Sequence, residues 1–258
     1  MLITKDFEII DLALWMPNQG FLIIADLHMG FEEALTKQGI LIPKFHFKDL
    51  ILRLKKIIQT IKKRKSKNNI NKIIINGDLK HNFGIIGEDE WRDVLKLIDF
   101  LKKECEELIL IKGNHDTTLQ HISRKRHLTT KPYFLFNNTL IIHGDKPIKL
   151  LIKQLVKENN TKITTTIIGH EHTAISLSTP TRTEKFKCFL YGKYQLTLLK
   201  KIDLITLPSF NLVTEGTDVI KEKLLSPILK TVNLKNFNVY IIGDQVYNFG
   251  KIKNLIKK

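Results

Sequence analysis

Short apolar runs, many of them β-branched, recur along the first two-thirds of the chain. Each is followed at once by glycine or a polar group. They are "FLIIADLH" (21–28), "KIIINGDLKH" (72–81), "LILIKGNHD" (108–116), "LIIHGD" (140–145) and "TIIGHEH" (166–172). A continuous apolar run of that length, bounded by turn formers, predicts a buried strand that ends in a loop. Between several of them the period changes. "KDLILRLKKIIQTIKKRK" (48–65) has apolar residues at helical spacing and a basic outer face. "DEWRDVLKLIDFLKKECEE" (89–107) opens with acids, as a helix N-terminus favours. Strand–helix alternation through residue 115 predicts a layered α/β core. Beyond residue 180, "KFKCFLYGKYQL", "LITLPSF" and "VYIIGDQVYNFG" predict strands with few helices, and "IGDQVYNF" predicts a hairpin turning at Gly243-Asp244. No repeat or Pro/Gly-rich hinge divides the sequence, which predicts a single domain over 1–258 with a β-rich part from 180 to 258.

Composition narrows the class. A hydrophobic content of 43% supports a buried core and excludes a disordered chain. The apolar runs fall far short of the roughly 20 residues a membrane span needs. The N-terminus "MLITKDFEII" carries acids where a secretory or mitochondrial leader has none, so a soluble, cytoplasmic protein with no membrane partner is expected. Cys105 and Cys188 are far apart without a CxxC partner, which predicts reduced thiols rather than a disulfide. The net charge of +16 points to a polyanionic partner. That signal is tempered, because 36 of the 42 basic residues are lysine and the chain is rich in asparagine and isoleucine. Such a bias resembles A/T-rich coding.

The nine histidines are not scattered. His28, His81, His115, His143, His170 and His172 fall just after the strand-like runs, and only His46, His121 and His127 lie elsewhere. Asp26, Asp78, Asn114 and Asp116 occur at the same places, with Gly77, Gly113, Gly144 and Gly169 beside them. Strand ends in α/β sheets are where loops gather and ligands bind. Singly, an Asp-x-His is a turn and cap, "GNHD" a hydrogen-bonded turn, and "IIHGD" a satisfied histidine. His170 and His172, two apart in an extended segment, point the same way. Five such pieces at successive strand ends would be costly to bury without a purpose. Carboxylate, imidazole and carboxamide donors without thiolate suit Mn²⁺, Fe²⁺ or Zn²⁺. They suffice for two ions if one carboxylate bridges, and a two-metal site is suited to in-line phosphoryl displacement.

The ordered series Asp26-Leu27-His28, Gly77-Asp78, Gly113-Asn114-His115-Asp116, His143 and Gly169-His170-Glu171-His172 resembles the calcineurin-like metallophosphoesterase superfamily. The likeness covers residues 21–172. "ADLHMGFE", "GDLKHNFG", "LPSFN" and "GTDV" further resemble the small archaeal phosphoesterases related to the SbcD-type DNA repair nuclease. The resemblance implies a four-layer α/β/β/α metallophosphoesterase sandwich with two divalent metal ions. Manganese is the leading expectation, and Fe, Ni, Zn or Co are compatible with the same donors. It implies that Asp26, His28, Asp78 and His172 hold one ion and that Asp78, Asn114, His143 and His170 hold the other. His115 would face the scissile phosphate, oriented by Asp116.

One position bears on the substrate. Many monoesterases of the superfamily carry Asp and then Arg after the Gly-Asp motif. Here "GDLKHNFG" places His81, as nuclease-like members do, and no arginine follows. This favours phosphodiesters, DNA or RNA included, over monoesters. The bland reading is that His81 only hydrogen-bonds a metal ligand. The alternatives are a phosphomonoesterase, a small-nucleotide hydrolase, and a nucleic-acid-binding module with a structural metal. The basic stretches 55–67 and 251–258 could track phosphates or be solvated helix faces. The 258 residues leave no room for a large cap, so an ATPase partnership of the SbcD type is not assumed, and the oligomeric state is left open, a homodimer included.

Overall fold

Parallel strands that end on a common edge determine where the chemistry of this chain collects. A computed structural model describes residues 1–64, 69–84, 87–117 and 119–256, without the side chains of Gln120 and His121. It divides into two units, Met1–Pro132 with Phe210–Thr214, and Tyr133–Ser209 with Glu215–Lys258.

The first unit opens with an antiparallel meander, β1 (Leu2–Thr4), β2 (Phe7–Ile10), β3 (Ala13–Met16) and β4 (Phe21–Ile24). Helices α1 (Phe31–Lys37) and α2 (His46–Lys62) lead to β5 (Lys72–Asn76). Then come α3 (Glu88–Glu104), β6 (Glu107–Ile111), α4 (Leu119–Arg126) and β7 (Thr129–Lys131). The seven strands lie in chain order, and β4, β5, β6 and β7 are parallel. Nearly every residue of β4, β5 and β6 is buried, as in parallel strands covered on both faces. Helix α2 buries Leu50, Leu54, Ile57, Ile58 and Ile61, one stripe at helical spacing. Phe210 and Asn211 add to this unit, their N–H groups donating to the carbonyls of Ala25 and Asp26 at 2.8 and 3.1 Å.

The second unit contains β8 (Phe134–Phe136), β9 (Thr139–Ile141), α5 (Lys149–Asn159), β10 (Thr165–Ile168) and β11 (Thr173–Ser178). It continues with β12 (Thr183–Gln195), β13 (Lys201–Thr206), β14 (Thr217–Asp218), β15 (Asn238–Ile242), β16 (Val246–Lys251) and α6 (Ile252–Leu255). Its sheet runs β14-β11-β12-β13-β10-β9-β8, with β15 and β16 attached through β12. Strand β10 is parallel to β9 and to β13. The 13-residue β12 serves as the spine, pairing with β11 over its first half and β13 over its second. Helix α5 stops at Asn160 in the left-handed region (φ 45°), a conformation asparagine tolerates. The core includes Leu140, Ile152, Ile168, Leu190, Leu204 and Ile241.

The five expected strands are present, as are both expected helices and the hairpin at Gly243-Asp244. The helix expected to run to 107 stops at Glu104. Cys105 is extended, and the N–H groups of Glu106 and Glu107 donate to the carbonyls of Ile70 and Asn71, so strand pairing takes that segment. The β1–β3 meander and helices α1, α4 and α5 were not anticipated. Residues 65–67 and 257–258, parts of the two basic stretches, lie outside the described residues. Among those described, no helix is long and apolar enough to cross a membrane.

Candidate metal centre

In the first unit, the loops that follow β4 and β5 are zipped together by backbone bonds. Asp26 donates to Gly77, His28 to Asp78 and Met29 to Leu79, at 2.9–3.1 Å. The zip brings donor atoms of Asp26, His28 and Asp78 within 4.8 Å of one another. All three residues are buried. His28 Nε2 lies 3.8 Å from Asp78 Oδ2, and Asp78 Oδ1 accepts the His115 N–H at 2.9 Å. Gly113 lies against this carboxylate. A Cβ there would fall 2.1 Å from Asp78 Oδ1, so only glycine fits.

Beside these residues, donor atoms of His28, His81 and His115 also converge within 4.8 Å. The Nδ1 atoms of His28 and His81 are 3.2 Å apart, and the His81 and His115 rings stack at 5.4 Å. His115 Nδ1 lies 2.5 Å from the His81 carbonyl. A carbonyl only accepts, so Nδ1 carries the proton and Nε2 is the nitrogen free to exchange one. This alters the expectation for Asp116. The group against His115 Nδ1 is a carbonyl, whereas the buried Asp116 carboxylate accepts from the backbone N–H groups of Gly113 (2.9 Å) and Lys80 (3.4 Å) and so shapes both loops. Asn114 sits half-buried in the turn after β6.

In the second unit, His143 follows β9 and His170 and His172 follow β10, on the same edge because these strands are parallel. The Gly169 N–H donates to the His143 carbonyl at 2.8 Å, and His143 Nε2 lies 3.2 Å from His170 Nδ1. Two nitrogens bound to one ion at about 2.1 Å lie roughly 3.0–3.4 Å apart, so this pair is spaced as ligands of a common ion. The His172 carbonyl accepts from Thr217 at 2.9 Å, and a Cβ on Gly216 would fall 2.0 Å from it.

Backbone strain singles out the same positions. Asp26, His28, Asp78, His170 and His172 have φ of 55°, 47°, 46°, 64° and 53°. Only nine non-glycine residues among those described have positive φ, and these are five of them. Left-handed backbone at a non-glycine residue persists where the surrounding structure over-determines it, often at functional sites. Buried carboxylates, converging imidazoles and this strain fit divalent-metal ligation.

The Calcineurin-like phosphoesterase family model matches residues 20–185. The chain belongs to that family of metallophosphoesterases. Among solved structures it is similar to the Pseudomonas putida nuclease MPE, at 18% identity over 93% of this chain and 92% of that one, with a TM-score of 0.58. That likeness supports the expected α/β metallophosphoesterase fold. Weaker similarities are to a Vps29 double mutant from Entamoeba histolytica (12% identity, covering 89% of this chain and 99% of that one, TM-score 0.36) and to a protein of unknown function from Aquifex aeolicus (16%, 58% and 77%, TM-score 0.35). A search of curated protein sequences finds no match.

Several site residues escape sequence reasoning. Glu90 resembles an ordinary helix-start acid, yet it is buried and its carboxylate accepts from the His81 and Asn82 N–H groups at 2.9 and 3.2 Å. Phe83 lies over His115 with ring centroids 3.8 Å apart. Glu171, between the two histidines of "GHEH", is fully buried, and its carboxylate accepts from the Leu225 (3.0 Å) and Ser226 (2.7 Å) N–H groups. Burial pushes its pKa up, while these backbone bonds oppose the shift. Ser226 Oγ in turn donates to the Gly144 carbonyl at 3.0 Å. Glu171 thus ties the histidine loop and the His143-Gly144 loop to one strap. Removing it leaves two backbone donors without their acceptor. Glu171→Ala is expected to lower the unfolding free energy by about 3 kcal/mol in denaturant titration, with partial recovery in Glu171→Gln. A change below about 0.5 kcal/mol would show that the strap does not depend on the carboxylate.

Proposed function

We propose that the chain is a metal-dependent phosphodiesterase acting on nucleic acid or a nucleotide, with residues 1–258 forming a single catalytic domain. Asp26, His28, Asp78 and His172 would hold one divalent ion. Asp78, Asn114, His143 and His170 would hold the other. Manganese is the leading candidate, with Fe, Ni, Zn or Co compatible with these donors. The observation that carries this reading is the left-handed backbone at five of these seven residues. When bound, two such ions supply a nucleophilic water at neutral pH and neutralise charge on the phosphoryl oxygens. Every other contribution is made by the chain's own side chains.

His115 Nε2 would move the proton. With Nδ1 held by the His81 carbonyl, the protonated ring donates from Nε2 to the leaving oxygen. His81 positions His28 through Nδ1 and keeps Nε2 for a non-bridging oxygen. Phe83 against His115 limits water on that side. His115→Ala is expected to retain its metals by elemental analysis and lose roughly 10²–10⁴-fold in kcat. Loss of a metal in this variant would make His115 a ligand.

The preference for diesters rests on what grips the phosphate. A monoester dianion needs added positive charge, best supplied by a planar guanidinium fork. The loop after β5 carries no arginine, and its cation is Lys80. Lys80 is buried, its Nζ donates to the Asn82 carbonyl, and burial lowers its pKa, so it does not serve an incoming phosphate. A diester carries one negative charge and needs no such grip. The nuclease name of the Pseudomonas putida neighbour agrees with this reading. Stripped protein reloaded with Mn²⁺ is expected to hydrolyse a bis-aryl phosphate with higher kcat/KM than the matching monoaryl phosphate. The reverse order would favour a phosphomonoesterase. A cytoplasmic location is proposed with it.

A further inference from the structure

The hairpin joining β12 to β13 has an unusual tip. Gln195 pairs with Lys201 in the ladder, and Thr197 and Lys200 close the turn through reciprocal backbone bonds at 3.2 and 3.3 Å. The two residues at the turn are Leu198 and Leu199, 98% and 99% exposed. Two-residue hairpin turns favour asparagine and glycine, whose backbones suit the turn and whose side chains suit water. Leucine suits neither. The turn is pinned all the same, because Gln195 Nε2 donates to the Thr197 and Leu198 carbonyls.

Below the tip, in the same unit, lies a cavity of about 480 Å³. Lys193, Lys201, Lys251, Asn233, Asn236 and Asn238 contribute to its wall. Its carboxylate, Asp203, is already occupied by Lys193 at 2.7 Å and by the Tyr191 hydroxyl at 2.9 Å. Lys201 and Lys251 have no ion-pair partner among the described residues, and neither does Lys200 beside the tip. Within the second unit the cavity is separate from the His170 loop. Strands β13 and β10 are parallel, so Lys201 starts β13 at the end opposite the one where His170 follows β10, about 20 Å away for six residues of strand.

We propose that this cavity and the leucine tip form a second contact surface for a nucleic-acid strand, an inference that rests on the nucleic-acid reading of the proposed function. Cationic groups without partners match phosphates, amide side chains match base edges, and an apolar pair on a fixed turn matches the face of an unstacked base. The surface extends the footprint beyond the scissile phosphate and gives the exposed leucines a partner in the substrate.

The test is fluorescence anisotropy of a labelled single-stranded DNA oligonucleotide at several salt concentrations. It compares the intact chain with Leu198→Asn/Leu199→Gly, which restores a favoured turn, and with Lys201→Gln/Lys251→Gln. The lysine variant is expected to bind more weakly and to lower the slope of log K against log salt by about 1.4. The leucine variant is expected to bind about fivefold more weakly with the slope unchanged. Both should hydrolyse a bis-aryl phosphate at the rate of the intact chain, which shows the fold undamaged and tests the diesterase reading separately. Wild-type DNA affinity and salt slope in both variants would overturn the inference. So would a leucine variant that loses binding to anionic phospholipid vesicles while keeping its DNA affinity.

Discussion

The Asp78 carboxylate has space only because residue 113 has no side chain. A single Cβ at Gly113 would sit 2.1 Å from Oδ1 and 2.4 Å from the Asp78 backbone nitrogen. The same Oδ1 accepts the His115 N–H, so the loop after β6 is locked onto the loop after β5. The loop after β5 is zipped to the loop after β4, which carries Asp26 and His28. Three parallel strands therefore deliver their terminal residues to one place, and the close approach at Gly113 fixes their spacing. Asp116 completes the lock by accepting from the Gly113 and Lys80 N–H groups. Stability at this edge comes from interlocking loops, since a buried carboxylate contributes only when its bonds are made.

The second unit solves a similar problem with different parts. Strands β9 and β10 place His143 and His170 with facing nitrogens. The restraint behind them is Glu171, whose carboxylate holds Leu225 and Ser226, while Ser226 reaches Gly144. Each unit thus supports its imidazoles with buried carboxylates on backbone donors, Asp116 and Glu90 in the first and Glu171 in the second. Left-handed backbone at Asp26, His28, Asp78, His170 and His172 opposes folding locally, by roughly 1–3 kcal/mol per residue. That cost is offset by the surrounding bonds and, in the proposed holo form, by metal binding.

Much of this was legible in the chain. Strands β4, β5, β6, β9 and β10 announced themselves because a parallel strand buried on both faces is apolar over much of its length, and the loops after them carried the histidines. The motif order gave the family. What stayed hidden depended on distant partners. Glu90 and Glu171 carry no signal of their own in the sequence, because only the fold shows which backbone donors they meet. The β1–β3 meander was hidden by turns with no strong glycine signal, and α5 by a short stripe between two strand motifs. The orienting role expected of Asp116 passed to a carbonyl, which no sequence pattern encodes. The leucines at 198 and 199 fall between two expected strands, and only the ladder shows that they form the turn.

In the proposed centre Asp78 is shared between two ions, and metal stoichiometry tests that sharing most directly. Stripped protein titrated with Mn²⁺ by calorimetry, alongside Asp78→Ala, gives the count of tight sites in each. Two tight sites in the intact chain and none, or one weakened site, in the variant is the expected result. An Asp78→Ala protein that still binds two ions tightly would contradict the shared carboxylate, and the paired centre with it.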